Sequence, residues 1–171
     1  MKITRKQKVA DTQQVEDKAQ PDSQIAEMLK KILADEYVSY YAYFIGAKNI
    51  RGTNWMDVKQ EFEQHAEDER KHFESIANRL YQLGIYCEDT LKDIQRNAGY
   101  YWDEDTKDPK KAVEIAKLAE EKAVEAYNAL LVHISDMKAN KKDFVTQRLA
   151  KQNLETEQDH LQDMERLLEE F

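Results

Sequence analysis

Neither glycine nor proline occurs between Thr53 and Leu83, nor anywhere from Lys110 to Phe171. A sheet-rich chain needs turn residues about every 8–12 positions. Runs this long without one fit only long helices. With 4 Gly and 2 Pro in 171 residues and a 41% hydrophobic content, the chain is expected to be all-α, one domain with a sizeable core.

The formal net charge of −8 describes a surface that repels nucleic acid and concentrates cations. A single cysteine, Cys87, excludes a disulfide framework or a thiolate zinc site within one chain and points to a reducing cytoplasmic setting. The opening MKITRKQKVADTQQ has no apolar signal core and no stretch approaches a membrane span, so no membrane association is expected. Residues 1–21 are polar and aperiodic and read as a flexible tail. Lys2, Arg5, Lys6 and Lys8 leave a weak DNA-binding arm as the functional alternative.

Residues 22–171 read as four helical segments. The first runs from about Asp22, a candidate N-cap, to Ile50, and the second from about Asn54 to Leu83, stopped by Gly84. The third opens at Asp108-Pro109 and runs to about Ala139; the fourth runs from about Asp143 to the end. The short links RGTN and NKKD make each pair an antiparallel hairpin. A helix of this length is about 42 Å long. The roughly twenty-five residues between the hairpins can travel that distance, which a short loop cannot. The expectation is two antiparallel hairpins joined by a long crossover, with no fifth helix.

Each helical segment places one acidic residue inside its apolar stripe. Glu36 lies four after Ile32 and seven before Tyr43, while Asp35 points away. Glu69 lies seven after Phe62 and seven before Ile76, while Glu61, Glu63 and Glu67 point elsewhere. Glu120 lies seven after Val113 and seven before Tyr127, and Glu157 lies three after Leu154 and seven before Met164. Two of them carry a histidine at i+3, His72 and His160. That spacing lets one helix give a single ion both an oxygen and an imidazole nitrogen. Around their turns, Glu36 lies level with Glu69 and Glu120 nearly level with Glu157.

Burying four carboxylates unpaired would cost several kcal/mol each or force them to protonate. Two histidines cannot balance four anions; two divalent cations can. Oxygen-rich ligation with one nitrogen per ion suits iron or manganese. Tyr43 and Tyr127, inward near these groups, are candidates to hydrogen-bond a ligand or carry an electron. His65 reads as a polar residue on the edge of the face, His133 as structural, and Cys87 as an ordinary thiol in the crossover.

The stretches LADEYVSYYAYFIGAKNIRG, EDERKHFESIANRLYQLG, LAEEKAVEAY and LETEQDHLQDM resemble the ferritin-like superfamily, specifically bacterioferritin and its Dps-like relatives, over about residues 22–170. The resemblance implies a ferritin-like four-helix bundle with an intrasubunit ferroxidase centre. Glu69 and Glu157 would bridge, Glu36 and Glu120 would be terminal, and His72 and His160 would ligate one ion each. It implies two iron ions per subunit, with manganese or zinc as substitutes. It also implies oxidation of Fe²⁺ by O₂ or H₂O₂ and storage of ferric mineral in a hollow homo-oligomeric shell. Arg70 stands where bacterioferritin carries its haem-binding methionine, so haem is not expected. Asn97 and Lys122 stand where thiol-bearing relatives have a cysteine pair, so a non-thiol variant is expected. A complete ligand set on one chain departs from typical Dps proteins, whose sites lie between subunits, although the RGTNW turn is Dps-like. With no C-terminal helix beyond the bundle, the analogy favours about twelve subunits over twenty-four, with DNA binding weak or absent.

Two other readings remain open on the residues alone. One is a di-manganese or di-iron peroxidase- or catalase-type enzyme without a storage role. The other is a DNA-protecting structural shell, supported only by the basic tail.

Overall fold

The computed structural model describes residues 22–87, 90–100 and 107–171; the expected tail, residues 1–21, lies outside them. The elements are α1 (Ser23–Asn49), α2 (Trp55–Gln82), a short α3 (Leu91–Asn97), α4 (Pro109–Asp136), a 3₁₀ turn (Ala139–Lys141) and α5 (Phe144–Glu169).

Three helices start as the sequence predicts. Asp22 accepts from the Gln24 and Ile25 amides, Asp108 from Lys111 with Pro109 following it, and Asp143 from Thr146. The α1–α2 turn needs two left-handed residues, Gly52 (φ 120°) and Asn54 (φ 58°). α2 closes on Gly84 (φ 73°). The Gly84 amide donates to Tyr81 O and the Ile85 amide to Leu80 O, a Schellman closure sealed by Ile85 and Leu80 in one apolar cluster. α4 ends at Asp136, three residues short of the predicted end. Lys142 takes the Ser135 carbonyl there, and the chain tightens into the 3₁₀ turn.

End contacts fix the topology. α1 packs on α2 and α4 on α5. His133, near the end of α4, lies 3.3 Å from Asp22 at the start of α1. The Arg51 amide, past the end of α1, donates to Lys107 O, ahead of α4. Arg79, near the end of α2, holds Asp143 at the start of α5. The helices therefore run up, down, down, up, and the crossover travels the length of the bundle as predicted.

The crossover holds two departures. It contains α3, which the sequence reading did not include. Thr90 caps it, and Ile94 is its one buried residue, too little apolar repeat to be seen. It also covers the flank of α1 that carries Asp35. That residue, expected to point away, is only 4% exposed and accepts from the Gly99 amide and from Lys31. A Cβ at Gly99 would displace the mobile end of Lys31 and lie 3.4 Å from Asp35 Oδ1, an ordinary contact, so a side chain there would disturb the Lys31–Asp35 pair.

The core is two apolar clusters. One gathers Tyr43, Phe62, Val113 and Met164; the other gathers Leu29, Ile76, Leu80, Leu130 and Ile134. On every long helix the inward glutamate lies between the two. No helix of the described residues is long and apolar enough to cross a membrane.

Candidate metal centre

All six predicted residues converge in that middle layer. Glu36, Glu69, His72, Glu120, Glu157 and His160 are each at most 5% exposed. α1 and α4 supply one carboxylate each; α2 and α5 each supply a carboxylate and, one turn on, an imidazole.

The atoms fall into two overlapping groups, Glu36–Glu69–His72–Glu157 and Glu69–Glu120–Glu157–His160, each with its ligand atoms within 4.8 Å of one another. His72 Nδ1 lies 2.7 Å from Glu157 Oε1, 3.6 Å from Glu36 Oε2 and 3.8 Å from Glu69 Oε2. His160 Nδ1 lies 3.5 Å from Glu69 Oε1, 3.6 Å from Glu157 Oε2 and 3.8 Å from Glu120 Oε2. Glu69 and Glu157 thus turn one oxygen to each histidine, while Glu36 and Glu120 each serve one. Both Nδ1 atoms, Glu69 Oε1 and both Glu157 oxygens have no hydrogen-bond partner among the described residues. Buried polar atoms are rarely left so. Two divalent cations would satisfy them, so the donor set fits two such ions.

The outer carboxylates are held by reciprocal tyrosine contacts. Tyr127 of α4 donates to Glu36 Oε1 on α1, and Tyr43 of α1 donates to Glu120 Oε1 on α4. Each contact leaves Oε2 turned to the histidine. Asn153 donates to the Tyr127 hydroxyl at 2.8 Å. Beyond His160, Asp68 Oδ2 lies 3.7 Å from Nε2, near the ring but beyond hydrogen-bond distance.

Without ions the electrostatics are those of crowded anions. Burial, then the charges of Glu157 and Glu36, pushes Glu69 well above the usual carboxylate range; burial also raises Glu120. Burial works against ionised Glu36 and Glu157 too, and the charge of Glu36 adds to it at Glu157, but the nearby imidazoles, with Glu69 and Tyr127 beside Glu36, outweigh this and lower both. Burial disfavours charge on His72 and His160, yet the surrounding carboxylates raise both far above the ordinary histidine value.

His65, expected at the edge, is instead fully buried. Its ring stacks on His160 at 3.8 Å between centroids and meets Tyr43 edge-on at 5.2 Å. The wheel placed it off the stripe, but α5 closes over that flank. Burial, then the charge on His160, lowers its pKa to about 3, leaving a neutral imidazole. His133, expected as structural, pairs with Asp22 far from this centre.

A segment of 60 residues is 33% identical to the DNA protection during starvation protein of Pyrococcus furiosus, spanning 35% of this chain and 32% of that one, about a third of that relative's length. The fold superposes on the bacterioferritin-related protein of Bacteroides fragilis, described as a dodecameric thioferritin, with TM-score 0.80 and 29% identity over 88% of each chain. It also superposes on the Dps protein of Vibrio cholerae O1, described as one of the ferritin-like diiron-carboxylate proteins, with TM-score 0.78 and 16% identity over 85% of this chain and 90% of that one. The ferritin family model, a ferritin-like domain, matches residues 26–171, and this chain belongs to that family.

Proposed function

We propose that the chain is an iron-storing ferroxidase that oxidises Fe²⁺ at an intrasubunit pair of sites and passes ferric product to a shell cavity. The observation that carries this is the shared pair Glu69 and Glu157, each turning one oxygen to His72 and the other to His160. Two ions held that way lie close enough to react with one oxidant.

Fe²⁺ is the substrate. Glu36 and His72 hold one ion and Glu120 and His160 the other, with Glu69 and Glu157 between them. Two Fe²⁺ give up one electron each. Together they reduce one O₂ to H₂O₂, or one H₂O₂ to two waters, each with uptake of two protons, so no one-electron product need escape. The apolar clusters on either side keep bulk water from competing for the ligands.

The test is Glu69→Ala combined with His72→Ala. Rapid Fe²⁺ oxidation, followed by stopped-flow absorbance, is expected to disappear while the far-ultraviolet helical signal stays. Unchanged oxidation kinetics would overturn the assignment.

A further inference from the structure

The two halves of the centre are related by one step along the chain for each helix pair, 88 residues from α2 to α5 and 84 from α1 to α4. Glu69 and His72 on α2 correspond to Glu157 and His160 on α5, and Glu36 and Tyr43 on α1 to Glu120 and Tyr127 on α4. The position seven before the histidine breaks this relation. On α5 it is Asn153, which donates to Tyr127 and lies 3.3 Å from Ser75 Oγ, a neutral, bonded arrangement. On α2 it is His65, fully buried, with neither ring nitrogen hydrogen-bonded among the described residues. The same step carries Leu149 and Ser75 onto Glu61 and Asp163. One half is plugged with an amide; the other sets an imidazole between two carboxylates.

We propose that Glu61, His65 and Asp163 form a further divalent-cation site on the α2–α5 face, beside the dinuclear centre. His65 Nε2 lies 3.9 Å from Glu61 Oε2 and 3.8 Å from Asp163 Oδ2. Those separations exceed a hydrogen bond. They suit ligands on one ion, since atoms each about 2.1 Å from a metal lie about 3–4 Å from one another. All three ligand atoms fall within 4.8 Å. Arg166 lies against the other oxygen of Asp163, Oδ1, at 3.5 Å, which leaves Oδ2 turned to His65. Glu61 and Asp163 are 31% and 33% exposed, so the site opens to solvent on one side and ends on a buried imidazole on the other.

His65 also belongs to a second compact group with Glu120 and His160, two ligands of the dinuclear centre. An ion bound outside is therefore one ring away from the inner pair. The role that follows, staging Fe²⁺ for the inner sites, rests on the ferroxidase reading; the binding of a cation does not.

The test uses Co²⁺ alone with the full chain, in soaked crystals read by anomalous difference maps and in solution by calorimetry. A peak is expected among Glu61, His65 and Asp163. Glu61→Gln with Asp163→Asn, both at part-exposed positions, is expected to bind one Co²⁺ fewer per chain. The outer peak is expected to survive in the Glu69→Ala, His72→Ala variant. No wild-type peak there at Co²⁺ levels that fill the inner pair, or an unchanged ion count in the Gln/Asn variant, overturns the proposal. An outer peak in a protein that does not oxidise Fe²⁺ keeps this site and removes the ferroxidase reading.

Discussion

Tyr43 and Tyr127 act across the boundary between hairpins: each phenol fixes a carboxylate that the other hairpin contributes. Without its phenol, the glutamate loses the contact that holds Oε1 and keeps Oε2 turned to the histidine. Tyr127→Phe is expected to weaken Co²⁺ binding about tenfold or more while leaving the helical signal intact, read by calorimetry. Protonation gives a second expectation. Glu69, Glu120, His72 and His160 are all shifted upward when no ion is present, so a cation competes with protons at these groups. Co²⁺ binding is expected to release protons and to tighten as pH rises from about 5 to 8, measurable in buffers of different ionisation enthalpy. The glutamates and histidines of the centre were legible because a carboxylate in the middle of an apolar stripe is an electrostatic anomaly a helical wheel can see. The burial of His65 was not, since it depends on α5 covering a flank that a single-helix projection treats as solvent. The repeated step between the two halves is the signal that singles it out.

At the level of elements, the junction of α2 and α5 carries a concentrated polar contact outside the metal centre. Arg79 donates from one Nη to both oxygens of Asp143, at 2.7 and 2.8 Å, and from Nε to Thr146 Oγ1. Asp143 also accepts from the Thr146 amide and hydroxyl, so one carboxylate caps α5 and ties it to the end of α2. Burial pushes the Asp143 pKa up, but hydrogen bonds from Thr146 and Arg79 outweigh it and hold the carboxyl below its usual value. For an acid with a depressed folded pKa, the stabilisation is present above the unfolded value and is lost as pH falls through the folded one. Asp143→Asn is expected to cost about 1–2 kcal/mol at neutral pH and progressively less as pH falls through the depressed Asp143 value, in urea melts across an acid series. The four long helices were readable because their caps and breakers are local: Asp22, Asp108-Pro109, Asp143 and Gly84 each act within a turn. α3 and the burial of Asp35 were not, because both exist only where the crossover lies against α1.

For the whole molecule, a twelve-chain shell of 20.2 kDa chains is expected to elute at about a quarter of a megadalton, whereas an isolated di-metal enzyme would elute far below that. With a net charge of −8, a DNA mobility shift is expected to be weak at best and to vanish when residues 1–21 are removed. The arrangement of the hairpins bears on how the chain assembles. Packing is densest within each hairpin and sparser between them, and each hairpin brings two of the centre's four carboxylates and one of its two histidines. The hairpins can form early from local contacts; bringing them together closes a long loop and buries ionisable groups. A divalent cation bound at the centre would then act on a late docking event. Amide hydrogens of the ion-free protein would exchange soonest where α1 faces α4 and α2 faces α5, and a bound cation would slow them. Loading and final consolidation of the bundle would be one process.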